Sequence, residues 1–212
     1  MTDTSYIEQL NKKAWENVTN TFSLYRDKLT VTPLFINFIK QISAHSTVLD
    51  LGCGTGLPFG KYITDNNHTL EGIDFSRSMI EKAKLNVPKG NFRVQSIDQL
   101  STKNFYEGIV ASYSLQLLAP DIIRDVVFRC SRALKQKGIM YVSLNEPVIN
   151  RSDYIVFMGE KMFFKDYSEK DLINIFSEKG MEKIYVQRTV EESETFGKEY
   201  MIEIIFQKKS LA

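Results

Sequence analysis

Cysteine and histidine are scarce in this chain, with two of each in 212 residues. Cys53 and Cys130 lie far apart and form no CxxC pair, so no metal centre and no redox pair is indicated. His45 and His68 each precede a predicted strand, whereas the sites of α/β proteins gather beyond the carboxyl ends of strands. They read as surface or packing residues. An excess of one charge is also missing. The formal net charge of +1 gives no long-range field to gather DNA or RNA, and no nucleic-acid partner is expected. No apolar run approaches the roughly eighteen residues of a membrane span, and the opening MTDTSYIEQLNKKAWENV holds no stretch of signal-peptide length. A cytoplasmic protein without integral membrane association is the expectation. What is present, 43% hydrophobic and 25% charged residues, is the balance of an ordinary globular domain with one substantial core.

The order of elements narrows the fold. Residues 5–20 predict a helix of mixed polarity, followed by a turn near Phe22–Lys28. Leu34, Phe35, Phe38, Ile39 and Ile42 repeat at helical spacing and can cover one face of a sheet. Short strands follow at Thr47–Asp50, Thr69–Asp74, Asn91–Gln95, Gly108–Ser112 and Ile139–Leu144. Helical patterns stand between them, near Pro58, over Ser76–Lys84, and through Ile122, Val126, Cys130 and Leu134. Strands alternating with helices imply a three-layer, doubly wound α/β sheet that is mostly parallel. Ser168 and Asp171 form a capping-box variant before a further helix that Gly180 stops. Two β-rich runs, Lys183–Val190 and Glu199–Gln207, are joined by EESETFG and predict a C-terminal antiparallel hairpin. The whole reads as a single domain: an N-terminal helical cap and sheet-covering helix in 1–45, a core in 46–145, an irregular excursion in 146–166, and a helix with its hairpin in 167–212.

The strongest local signal is Val48-Leu49-Asp50-Leu51-Gly52-Cys53-Gly54-Thr55-Gly56. A buried strand leads into three glycines, which permit a tight turn and close approach of backbone to a ligand. A phosphate-binding P-loop needs Lys-Ser or Lys-Thr after its glycines, and Leu57-Pro58 stands there instead. The dinucleotide fingerprint needs its last glycine at position 57, which is leucine. Asp74 ends the second strand on the same side of the sheet, where a carboxylate can accept hydrogen bonds from two ribose hydroxyls. A helix-cap role is the plain alternative.

VLDLGCGTG resembles the first cofactor-binding motif of class I S-adenosylmethionine-dependent methyltransferases. EGIDFSRSMIEKAK, FRVQSIDQL, FYEGIVASYSLQLL and RCSRALKQKGIMYV follow in the family's order, so the resemblance covers roughly residues 46–145. It implies the Rossmann-like methyltransferase fold, S-adenosylmethionine as cofactor with S-adenosylhomocysteine as product, and a small-molecule acceptor. Gly52, Gly54 and Gly56, with Cys53 and Thr55 between them, then approach the amino-acid and ribose portions. Asp50 organises that loop, Asp74 takes the ribose, and Phe75 covers adenine. Ser96 stands where many relatives have aspartate, so Ile97 is left to pack beside the adenine ring, with Asp98 able to restore an acidic contact if the loop bends. Ser112 reaches the cofactor's edge.

The acceptor side is less marked. The Asn/Asp-Pro-Pro-aromatic motif of amino- and nucleobase-directed members is absent, and Gln116-Leu117 replaces the histidine of many small-molecule members. Tyr25 resembles a lid-region tyrosine and, with Glu146, is a weak catalytic candidate. Tyr25, Tyr113, Asn145, Arg151, Phe163 and Phe164 are candidate acceptor contacts. The excursion through 148–166 is expected to act as an apolar lid. A homodimer contact through that segment, a protein acceptor, and a noncatalytic cofactor-binding role stay open as alternatives.

Overall fold

A computed structural model of the chain describes residues 4–193 and 197–210. The central sheet is built from β1 (Thr47–Leu51), β2 (Thr69–Asp74), β3 (Asn91–Val94), β4 (Tyr106–Ser112), β5 (Leu134–Asn145), β8 (Met181–Ser193) and β9 (Gly197–Lys208). Its strand order is β3-β2-β1-β4-β5-β9-β8. The first five strands run parallel, and β9 pairs antiparallel with both β5 and β8. This is the expected mostly parallel sheet with its C-terminal hairpin. Residues 194–196, within the segment expected to join the hairpin's strands, lie outside the described residues.

Helices α2 (Pro33–Gln41), α3 (Phe59–Asp65) and α4 (Arg77–Asn86) cover one face, while α5 (Ile123–Ala133) and α6 (Glu169–Ser177) cover the other. Both faces being covered explains why the strands read as apolar runs without alternation. On the first face Phe35 packs edge-on against Phe59 and Tyr141, at 4.6 and 5.1 Å between ring centroids. Burying rings of this size contributes about 1.5–3 kcal/mol each. It also holds the start of α2, capped by Thr32, against β5. Ser168 and Asp171 make the reciprocal capping box read from the sequence, and Gly180 follows α6 at φ +74°.

Two segments differ from expectation. The first helix, α1 (Thr4–Arg26), runs six residues beyond its expected end, through the predicted turn. Its last turn is held from outside: Arg26 Nε donates to the Leu57 carbonyl at 3.0 Å, and the guanidinium lies over the Phe22 and Phe59 rings. The irregular excursion contains a second, two-stranded sheet, β6 (Tyr154–Phe157) with β7 (Glu160–Phe163). Met158 and Gly159 between them both take positive φ, 50° and 87°, the signature of a tight type I′ turn.

This small hairpin is fastened to α1. Asn11, itself buried, accepts from the Phe163 N–H at 2.8 Å and donates to the Phe163 carbonyl at 3.1 Å. The same amide donates to the Leu117 carbonyl at 2.9 Å, joining the loop after β4 to the cap. Trp15, Phe22 and Phe157 pack together beside it. Thus α1 and the hairpin form one roof above the carboxyl ends of the parallel strands.

Candidate active site

A single cavity runs beneath that roof. Its floor is the loop after β1, its far wall the ends of β4, β5 and β9, and its ceiling the face of α1 that carries Ile7, Asn11, Trp15, Phe22 and Tyr25. The loop is folded back on β2, with the Gly52 and Cys53 N–H groups both donating to the Ile73 carbonyl, at 2.8 and 3.0 Å. Gly52 and Gly54 take positive φ, 77° and 51°. A Cβ on Gly52 would stand 2.6 Å from Ser114 Cβ, whereas one on Gly54 would meet only the Phe22 ring, at 3.7 Å across the cavity. Gly54 is therefore where the backbone lies open to a ligand.

Asp74 stitches this floor together. One carboxyl oxygen accepts from the Gly54 N–H at 3.0 Å and the other from the Ser76 N–H at 2.9 Å. The helix-cap and ligand roles are thus compatible, since each oxygen retains a second lone pair. Burial raises the Asp74 pKa to about 6 against the two backbone hydrogen bonds that lower it, and the nearby Glu16 raises it further. Burial also pushes Asp50 up to about 7; Arg26 draws it down and Asp74 adds to the rise. Two buried carboxyls with one guanidinium beside them make a floor that favours a bound cation.

At the opposite end, Ser96, Ile97 and Asp98 line the cavity, and Asp98 Oδ1 is buried without a hydrogen-bond partner among the described residues. An unsatisfied buried acceptor in a cavity wall fits an amino group of a ligand. Across the sheet, a polar row crosses an otherwise apolar face. Asp50 on β1, Ser112 on β4, Ser143 on β5 and Glu203 on β9 share that face by register, and Ser143 Oγ donates to Ser112 Oγ at 2.9 Å.

Comparison with known proteins identifies the fold. Residues 48–138 match a family model described as "Methyltransferase domain". A methyltransferase structure from Methanosarcina mazei superimposes with a TM-score of 0.74 at 19% identity, covering 86% of this chain and 100% of that one. A 1,6-didemethyltoxoflavin-N1-methyltransferase from Burkholderia thailandensis, solved with 1,6-didemethyltoxoflavin and S-adenosylhomocysteine, gives 0.80 at 14% identity, with 99% and 92% covered. This chain has the class I S-adenosylmethionine-dependent methyltransferase fold. Among curated relatives, a carboxy-S-adenosyl-L-methionine synthase of Vibrio atlanticus is 26% identical over 143 residues, which cover 63% of this chain and 52% of that protein. The chain spans about half the length of several of the curated relatives it matches.

Within this methyltransferase fold, Asp50, Gly52, Cys53, Gly54, Thr55, Asp74, Phe75, Ser96, Ile97 and Ser112 all line the cavity, as do Tyr25, Tyr113, Asn145 and Phe164. Four expected residues do not. Gly56 faces the core, where a Cβ would meet Val87 at 3.1 Å and Phe92 at 3.4 Å, so its bare backbone lets the end of α4 and β3 pack close. Phe163 is buried between Ile7 and Ala119, beneath the roof. Arg151 is paired with Asp166 at 3.2 Å and lies over the Phe164 ring. Glu146 is held outside the cavity by Arg188, Nε to Oε1 at 2.6 Å. Two lysines of the same excursion also turn away from the cavity, Lys165 to Asp153 and Lys161 to the Tyr154 ring.

Arg26, Trp15 and Glu203 were not singled out from the sequence. Arg26 and Trp15 line the cavity directly, and their signal was the helical spacing of the polar and aromatic positions along α1. The thiols of Cys53 and Cys130 are both pushed up by burial, Cys130 to about 12, so neither is a ready nucleophile. Among the described residues no group of three His, Cys, Asp or Glu is placed to hold a metal ion, and no helix is long and apolar enough to cross a membrane.

Proposed function

We propose that this chain binds S-adenosylmethionine and catalyses transfer of its methyl group to a small molecule in the cytoplasm. The observation that carries the reading is the cavity that joins the glycine loop and Asp74 to a roofed chamber lined by Ile7, Trp15, Ile155, Met162 and Phe164. In this reading Asp74 receives ribose hydroxyls, Ile97 packs against adenine, and the Asp98 oxygen without a partner among the described residues accepts from the adenine amine; all three line the cavity. Asp98 thus supplies the acid that Ser96 lacks. Asp50 and Arg26 lie where a methionine ammonium and carboxylate would be held, each opposite a group of the other sign.

The cofactor supplies a methyl group already made electrophilic by the sulfonium. What remains for the protein is alignment and exclusion of water. The α1–hairpin roof provides both, because its apolar underside closes the chamber while Asn11 fixes its height. The chamber is enclosed by α1 and so suits a compact molecule better than a polypeptide segment. The bound 1,6-didemethyltoxoflavin of the Burkholderia structure is a small molecule of the class that such a chamber suits.

The test is to incubate the protein with methyl-labelled S-adenosylmethionine and fractionated cell extract, then separate labelled small molecules from labelled proteins. Label in a small molecule is expected. Label confined to polypeptide refutes the acceptor class, and binding without any transfer refutes the enzyme.

A further inference from the structure

The first four N–H groups of an α-helix have no partner inside it. At the start of α4, just after Asp74, each of the four is met by a side-chain oxygen. The Ser76 N–H donates to Asp74 Oδ1 at 2.9 Å, and the Met79 N–H to the Ser76 hydroxyl at 3.2 Å. The other two are met from the roof. Glu16 of α1 accepts from the Arg77 N–H at 2.7 Å with one carboxyl oxygen and from the Ser78 N–H at 3.2 Å with the other. A chain of hydroxyls runs alongside, Ser76 to Ser78 at 3.0 Å and Ser78 to Thr19 of α1 at 2.6 Å. Ser76 and Thr19 are both buried.

Glu16 does not line the cavity, yet its neighbour Trp15 does, and so do Phe75 and Met79 on either side of the helix start that it caps. One carboxylate therefore fastens the roof to the segment that carries Asp74. It also removes a competing set of donors. An aspartate just before a helix can bond the N–H groups two and three residues on. With Arg77 and Ser78 taken by Glu16, Asp74 keeps only Ser76 and the Gly54 N–H of the glycine loop. The two carboxylates are close enough for the charge of Glu16 to raise the Asp74 pKa. We propose that Glu16 is a positioning residue for the cofactor: from the roof it caps α4, leaves Asp74 held on the glycine loop, and makes closure of α1 and completion of the ribose site one event. By linkage, a cofactor that Glu16 helps to bind must in turn tighten the contact between Glu16 and α4. This deepens the S-adenosylmethionine reading and rests on it.

The test titrates S-adenosylhomocysteine into the full chain by calorimetry, for wild type, Glu16→Ala, Glu16→Gln, Asp74→Asn and the variant combining Glu16→Ala with Asp74→Asn. Glu16→Ala should weaken binding about tenfold, the size of one hydrogen bond to a charged group. Glu16→Gln keeps one accepting oxygen and should lose less. In the Asp74→Asn background the loss from Glu16→Ala should shrink to under about twofold, because no carboxylate is left to position. A cap that only stabilised α4 would cost the same in both backgrounds. Wild type supplies a second measurement that needs no variant. Saturating S-adenosylhomocysteine should slow hydrogen exchange at the Arg77 and Ser78 amides at least about tenfold more than at Asp171, whose amide is capped by Ser168 at the start of α6. Unchanged affinity in Glu16→Ala, losses that add in the combined variant, or equal slowing at Arg77, Ser78 and Asp171 overturns the proposal. A wild-type chain that does not bind S-adenosylhomocysteine overturns the cofactor reading, and this proposal with it.

Discussion

Replacing Asn11 by leucine should open the roof without unfolding the sheet. Leucine keeps the branched, four-heavy-atom outline of asparagine and favours a helix more strongly, but it removes three hydrogen bonds, two to Phe163 and one to the Leu117 carbonyl. Each net bond is worth about 1 kcal/mol, and the stranded Phe163 N–H costs up to about 3 kcal/mol more if water cannot reach it. The hairpin has an escape that a core strand lacks. It forms a separate two-stranded sheet, so it can lift and hydrate its exposed groups while the main sheet stays paired. The expected loss is therefore about 3 kcal/mol in the local opening free energy, or roughly a hundredfold faster hydrogen exchange at the Phe163 amide. Amides of β1 and β4 should exchange at wild-type rates. Affinity for S-adenosylhomocysteine should change little, because Asp74 and the glycine loop are untouched, while methyl transfer should fall with the loss of the closed chamber. Wild-type protection at Phe163 would show that Asn11 does not hold the hairpin. Equal acceleration across β1 and β4 would show that the roof is not a separable unit.

Asp74→Asn should weaken S-adenosylhomocysteine binding by about tenfold, since hydrogen bonds to a charged group are worth about 1.5–3 kcal/mol; an unchanged calorimetric Kd refutes the ribose role. Burial raises Asp50 to about 7 and Asp74 to about 6, so both protonate in the free fold at higher pH than in the unfolded chain. Their contribution to stability is therefore present at low pH and is lost as pH rises through 6 and 7. A cationic ligand favours the carboxylates, so S-adenosylmethionine binding near pH 6.5 should release protons and tighten as pH rises to 7.5; calorimetry in two buffers of different ionisation enthalpy that detects no proton release refutes this. Phe163→Ala should cost about 3–5 kcal/mol of roof stability, read as lost protection across β6 and β7. Phe164→Ala, at the cavity wall, should change acceptor KM with much less effect on that protection, and identical behaviour of the two variants would refute their separation.

The glycine-loop half of the cavity was legible because it is local in sequence. Gly52, Gly54 and Asp74 sit at the ends of adjacent parallel strands, and strand–loop–helix order alone brings them together. The roofed half was not. Met158-Gly159 carried the hairpin's turn signal, but methionine rarely takes positive φ, and the four-residue strands on either side are too short to show a clear period. The extension of α1 to Arg26 depends on the Leu57 carbonyl, thirty-one positions away. Glu203 followed the alternation of an outward-facing position in MIEIIF, yet β9 lies between β5 and β8, and α2 covers the face on which the residue stands. A charged residue inside a strand with partners on both sides was the available signal.

That division carries a consequence for where specificity resides. The matched methyltransferase segment spans residues 48–138, which holds the glycine loop, Asp74, Ile97, Asp98 and Ser112. Tyr113, Leu117, Ala119 and Ile122 of that segment also line the cavity, but much of what shapes the chamber lies outside it: the cavity face of α1, Thr32 at the start of α2, Tyr141 and Ser143 on β5, the hairpin, and Met201 on β9. Two of these pieces come from before the segment and the rest from after it, and they meet only because α1 crosses above the carboxyl ends of the strands. A loop could vary its length without disturbing β1 or β4, but a change in the roof must keep Asn11, Leu117 and Phe163 in register or lose its closure. Substitution along α1 and β9 can alter which molecule fits while the glycine loop and Asp74 keep their geometry.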